Sequence, residues 1–228
     1  MWYINNVDNR CDIILMLLRG SVKALRQIWR KNEGGFFMKG INKVIMVISK
    51  VLEILHWVGS LFMAAVLVCS ITAKDWLANH VSDIVAKAGD TISTYGFELK
   101  IIGLDNNVNI TAIMLFSITA VIVLNVSAMV WRNIYLILKT AKGKTWFSNG
   151  KTPFQKDIIR MVREIGIFYI LIPVVGLIMS IISRIVLGVD VTEAAVDMGD
   201  IITGILVLCL TQVFSYGAEL QEDVNGLL

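Results

Sequence analysis

Lys50, Glu53 and His56 recur at intervals of three inside an apolar stretch, which places an ammonium, a carboxylate and an imidazole on one face of a helix. Ionisable groups within a membrane helix are costly and mark functional sites by default, so Glu53 and His56 are the first candidates. A local account competes: near the cytoplasmic end of the stretch, Glu53 can pair with Lys50 while the lysine snorkels to the surface. The other chemistry-bearing side chains are scattered. Cys11, Cys69, Cys209, His56 and His80 show neither CxxC nor HxxxH spacing, so no zinc site is expected. Cys69 and Cys209 sit in apolar runs and read as small core residues. Asp105-Asn106-Asn107-Val108-Asn109 begins like a calcium loop, but Ile110 replaces the required glycine and no glutamate closes it, so it reads as a turn. Without a phosphate-binding loop or a nucleophile motif, the expectation is a protein that is not an enzyme and takes no cofactor.

Composition decides what must position these residues. The chain has 228 residues, 56% hydrophobic and 17% charged, against roughly 45–50% apolar and 25% charged in a soluble domain. It has too little polar surface to cover itself in water. A net charge of +3 is weak ground for nucleic-acid binding, which needs basic residues gathered on one face, so no nucleic acid is expected as a direct partner. Apolar runs at 54–73, 110–131, 165–183 and 198–216 each approach the roughly 17–25 residues that cross a bilayer as a helix.

The expectation is therefore an all-α membrane protein with four transmembrane helices in a bundle, spanning 44–73, 110–138, 165–187 and 195–216. A cleaved signal peptide competes for the first span, but its apolar region is too long and Ser70-Ile71-Thr72-Ala73 lacks the small residue wanted before a cut. Val68 argues against lipoprotein cleavage at Cys69. Pro173 predicts a kink in the third span. Thr192 and Glu193 suit the N-terminus of the fourth. Asn125, Ser127, Thr211 and Gln212 read as interhelical hydrogen-bond partners, and Ser60/Ala64 and Gly176/Ser180 as close-packing pairs.

Lysine and arginine placement sets the orientation. Arg132, Lys139, Lys142, Lys144, Lys151, Lys156, Arg160 and Arg163 fall between the second and third spans, and within 132–163 only Asp157 opposes them. Lys39, Lys43 and Lys50 precede or open the first span, while 74–109 and 184–200 are acidic on balance. The positive-inside rule then puts both termini and the basic loop 139–164 in the cytoplasm, with the chain multi-pass in the membrane. In the outer loop 74–109, Trp76, Leu77, His80, Val81, Ile84 and Val85 form one face of a helix, with His80 an interfacial residue. Phe97, Leu99 and Ile101 alternate with Glu98 and Lys100 as a strand.

In the basic loop, Thr152-Pro153-Phe154-Gln155 has the form of a capping box with proline at the first helical position. It predicts a short amphipathic cytoplasmic helix before the third span. Ile158, Ile159, Val162 and Ile165 would form its apolar face, with Lys156, Arg160 and Arg163 drawn to an anionic inner leaflet by about 1 kcal/mol per cation. Trp146, Phe147 and Phe154 suit the aromatic belt. The alternative is a docking surface for a cytosolic protein.

The segment 1–37 fits poorly with the rest. Glu33-Gly34-Gly35 back-translates to GAR-GGN-GGN, which permits a ribosome-binding sequence just upstream of a start at Met38. Residues 1–37 are thus expected to be an over-extended reading frame, with a basic interfacial segment as the alternative, and 38–228 a single four-span domain.

Two stretches carry a family resemblance. Gly150-Lys151-Thr152-Pro153-Phe154-Gln155 with Ile158, Arg160, Arg163, Ile165 and Gly166, and the tail Phe214-Ser215-Tyr216-Gly217-Ala218-Glu219-Leu220, resemble a bacterial membrane family catalogued as domain of unknown function 2975. Ile158, Ile159 and Tyr216 stand where that family often has arginine. The resemblance implies a small bacterial membrane protein, and its members are often encoded near a compact helix-turn-helix regulator. It makes Pro153, Phe154, Arg160, Arg163, Gly166, Phe214, Gly217, Ala218, Glu219 and Leu220 candidate structural or interaction residues. The functional expectation is a membrane-embedded binding or regulatory protein working on a cytosolic or membrane protein partner; a small transporter or channel subunit is the alternative. Glu219, Glu222 and Asp223 in the acidic tail 217–228 should meet the basic segment, with Glu219 on Arg160 or Arg163.

Overall fold

The computed structural model describes residues 35–88, 91–94, 97–102, 108–148, 152–188, 192–194 and 198–226. Residues 1–34 and the Asp105–Asn107 part of the expected turn lie outside them. In chain order the elements are α1 (Gly35–Thr72), α2 (Lys74–Ala88), β1 (Thr91–Thr94), β2 (Phe97–Lys100), α3 (Ile110–Thr140), α4 (Lys156–Leu187), β3 (Thr192–Ala194) and α5 (Met198–Gly226). The chain divides into Met1–Ile45, described only in the opening turns of α1, and Met46–Leu228, which holds every other element.

Four helices, with spans Ile41–Thr72, Ile110–Thr140, Lys156–Leu187 and Met198–Val224, are long and apolar enough to cross a membrane. Their 32, 31, 32 and 27 residues exceed the roughly 20 that a bilayer core requires, so each also projects beyond it. The chain is a multi-pass, membrane-spanning helical protein. Helix α4 packs along both α3 and α5 and stays helical through Pro173. Helix α3 starts where Asn109 caps it, its side-chain oxygen accepting from the Ala112 N–H at 3.2 Å.

Helix α1 is apolar outward and polar inward. Ser49, Glu53, Ser60 and Ser70 are buried and His56 half-buried, spaced by alternating threes and fours through Met63 and Leu67. Residues on its other sides, such as Val51, Leu55, Val58, Leu61 and Phe62, are exposed. This inverts the pattern of a soluble amphipathic helix, as expected where the surrounding solvent is lipid.

The strand expected around Phe97–Ile101 is β2, the middle of an antiparallel sheet ordered β1-β2-β3. Leu99 lies opposite Ile92 on β1 and Thr192 on β3. It is fully buried against Ala112 of α3 and Met179 of α4, so the sheet caps that end of the helix pair. Helix α2 forms where the 76–85 periodicity placed it, with Leu77 buried against Ile101 and Ile113. Trp76 stacks on His80, ring centroids 4.2 Å apart.

Two expectations about helix starts are corrected. Thr192 and Glu193 do not open the fourth span; they belong to β3, because pairing with β2 satisfies their backbone better than a cap would, and α5 starts at Met198. Among the described residues no separate amphipathic helix precedes the third span. Thr152 donates its hydroxyl to Gln221 Oε1 at 2.8 Å, and Gln155 Nε2 bonds the Thr152 carbonyl at 2.7 Å instead of closing a capping box. Gln155 becomes the N-cap, and Lys156 opens one continuous helix to Leu187. The face meant for lipid is interior: Ile158, Met161 and Val162 pack against Leu136, Ile137, Phe147 and Val207.

Candidate functional site

The polar face of α1 leads to a cavity. Ser49, Glu53, His56 and Ser60 fall on successive turns of one side, and Glu53 is held by Lys50 at 2.9 Å. Lys50 itself is half exposed, so the local pairing read from the sequence is present while the buried member is the carboxylate. One turn on, His56 Nδ1 lies 2.7 Å from the Leu52 carbonyl. A carbonyl only accepts, so Nδ1 carries the proton and Nε2 is left as the acceptor and protonation site of the ring.

His56 lines a cavity of about 80 Å³ with Ser127, Val130 and Trp131 of α3, Tyr169 and Ile172 of α4, and Asp200 of α5. All four spanning helices contribute. The volume exceeds the roughly 30 Å³ share of one water and falls far below the roughly 300–1,000 Å³ of a drug-sized ligand site. It suits an ion or a few waters. With Nδ1–H committed, the polar groups of the lining are the second imidazole nitrogen of His56, the carboxylate of Asp200 and the hydroxyls of Ser127 and Tyr169, beside the faces of Trp131 and Tyr169. Such a set favours a small cation or a hydrated proton. No group of three His, Cys, Asp or Glu side chains suited to a metal occurs among the described residues.

By its charge alone Asp200 belongs to the outer loop. The fold puts it in the first turn of α5 beside Ile172, near the middle of α4, because β3 brings the chain back along α4 before α5 begins. Nothing in a local window signals that return.

The residues of the two family-like segments gather at the other end of α4 and α5. The Phe154 and Phe214 rings lie 5.9 Å apart, and a Cβ added to Gly217 would come within 2.5 Å of Phe154, so the glycine seats the ring. Gly166 faces Leu208 and Gly204 at the tightest crossing of the two helices. Ala218 is half-buried, while Pro153, Arg163, Glu219 and Leu220 are exposed. The ends of α4 and α5 do meet, but not through Glu219. Lys156 reaches Glu222 at 3.7 Å, and Arg160 turns to Glu164 of its own helix at 3.5 Å. The spacing explains it: Glu164 lies one turn from Arg160, where helix partners meet without ordering a second segment. The acidic tail is itself helical to Gly226.

Glu164 is the residue that sequence reasoning passed over. Its second oxygen accepts from the buried Asn133 at 3.0 Å, tying α3 to α4 below the cavity. An Asn and a Glu projecting inward at the border of two apolar runs were the available signal.

No family model, curated protein or solved structure matches this chain.

Proposed function

We propose that the protein is a membrane-embedded binding or regulatory protein of a bacterial plasma membrane, and that its working site is the cavity shared by His56, Ser127, Tyr169 and Asp200. The observation that carries this reading is the convergence of four helices on one small acceptor-rich space. Protonation or cation occupancy there acts on every span at once, and the ends of the helices can pass the change to a partner protein. The cytoplasmic assignment of both termini and of the basic 139–164 segment rests on the lysine and arginine distribution. Membership of the domain-of-unknown-function family 2975 rests on the Pro153–Gly166 and Phe214–Leu220 segments.

The transporter alternative draws on the same residues, since a histidine and a carboxylate sharing one small cavity among the spans also suit a proton relay. Liposomes with an imposed pH gradient separate the two. The binding reading expects proton uptake no faster than in protein-free liposomes. It also expects Trp131 fluorescence, read in a variant keeping only that one of the six tryptophans, to shift on acidification. The titratable groups facing the cavity are His56, Tyr169 and Asp200, with Glu53 one turn and Lys50 nearly two turns away on α1, and Asp200→Asn should abolish the shift. Uptake that Asp200→Asn removes would establish the transporter; fluorescence indifferent to pH would discard the cavity as the site.

A further inference from the structure

A second polar site lies where α1 passes the end of α3. Lys50 Nζ is 5.4 Å and Lys139 Nζ 5.7 Å from the centroid of the Tyr135 ring. Lys142, just past the end of α3, donates to Met46 Sδ at 3.4 Å. A thioether is among the weakest acceptors a protein offers, so that ammonium is far from neutralised. Glu53, buried, takes Lys50. Among the described residues neither Lys139 nor Lys142 is in an ion pair. Two ammonium groups, one from α1 and one from α3, therefore share one aromatic ring, a third lies on Met46 one turn of α1 before Lys50, and the one carboxylate paired among them is Glu53 on Lys50.

The depth of the cluster says what could complete it. Helix α3 has 31 residues, about 46 Å at 1.5 Å per residue, against a hydrocarbon core of roughly 30 Å. Its last turns therefore lie at headgroup level. Trp146, 95% exposed, and Phe147, set edge-to-face with it at 5.4 Å, have the character of interfacial anchors there. Helix α1 meets α3 through side chains such as Lys50 at Tyr135 and Gly59 at Leu124, and its flank beside them, with Val47, Val51 and Leu55, is exposed apolar surface.

We propose that Lys139 and Lys142, with Lys50 and the Tyr135 ring, bind the phosphate of an anionic phospholipid whose acyl chains lie on the exposed apolar flank of α1. The lipid supplies the missing counter-charge and couples α1 to the rest of the bundle. The site rests on the membrane-spanning reading and is independent of which end faces the cytoplasm.

The test uses the full chain in vesicles of phosphatidylcholine alone or mixed with a photo-crosslinkable phosphatidylglycerol, with thermal stability read in parallel. Preferential cross-linking to phosphatidylglycerol should fall about fivefold for each of Lys139→Gln and Lys142→Gln, and its stabilisation should vanish in the double variant. Lys144→Gln, which removes the same charge from an exposed neighbour, should stay within twofold of the unmodified protein. Equal losses in Lys144→Gln, or undiminished cross-linking in the double variant, would overturn the site. Stabilisation by inorganic phosphate in detergent equal to that by the lipid would assign the lysines to a free anion and overturn the lipid. Flotation with vesicles of both compositions is the check on the membrane reading: a chain that floats with neither has failed that reading, whereas one that floats with both and shows no lysine-dependent preference has lost only the lipid site.

Discussion

Leu99→Ala should destabilise the protein by about 2–5 kcal/mol, the range for a fully buried leucine truncated to alanine. Leu99 has no exposed surface and clusters with Ala112 at the start of α3 and Met179 in the far half of α4, and Leu115, Phe116 and Val175 pack against that cluster. Three elements that are remote in sequence share this one side chain, so the cavity left by alanine cannot collapse without moving a helix. Lys100→Ala is the comparison, because its side chain is exposed on the same strand and surface changes usually stay within about 0.5 kcal/mol. Thermal denaturation in detergent reads both. Equal melting of the two variants would mean that the sheet does not pack on the helices as described.

Gly204→Ala should cost about 1–3 kcal/mol through overpacking. An added Cβ would lie 2.6 Å from Ile170 Cγ1 and 2.8 Å from the Gly166 carbonyl oxygen. A side-chain carbon can rotate away; a helix carbonyl cannot, so α4 and α5 must separate. Small residues at such crossings let membrane helices approach, since lipid provides no hydrophobic drive for association. Gly59→Ala is the matched control: its added Cβ would sit 3.5 Å from Leu124, an ordinary contact, and alanine is the better helix former by roughly 1 kcal/mol. The first variant should melt earlier and the second should hold or gain. The reverse order would remove Gly166/Gly204 as the closest crossing.

The sequence made the long elements plain because membrane helices declare themselves by uninterrupted apolar length, as 110–131 and 165–183 do. Phe97-Glu98-Leu99-Lys100-Ile101 declared a strand by alternation. Its partners did not declare themselves: Thr91–Thr94 and Thr192–Ala194 are too short to carry a period, and strand pairing is a non-local choice. Of the cavity, His56 and Ser127 were legible. Glu53 and His56 share a face by spacing alone, whereas Asp200 reads as a loop acid until β3 returns the chain along α4. At the other end, the meeting of the Pro153–Gly166 and Phe214–Leu220 segments followed from confining opposite charges to one layer. The pairing within it did not follow, because Arg160 has Glu164 a turn away and Lys156 is left for Glu222. The same competition undid the capping box, whose Thr152 hydroxyl bonds Gln221.

The proposed threading crosses the membrane four times with the basic ends of α3 and α4 inside. It is tested most directly by single cysteines at Lys144 and Asp75 in a background where Cys11, Cys69 and Cys209 are serine. Both positions are exposed, one in the turn after α3 and the other in the first turn of α2. In intact bacterial cells a membrane-impermeant thiol reagent should label the cysteine at position 75 and spare that at position 144, and lysis should make both react. Labelling of position 144 in intact cells with position 75 protected would invert the orientation, and labelling of both before lysis would contradict the four-span threading.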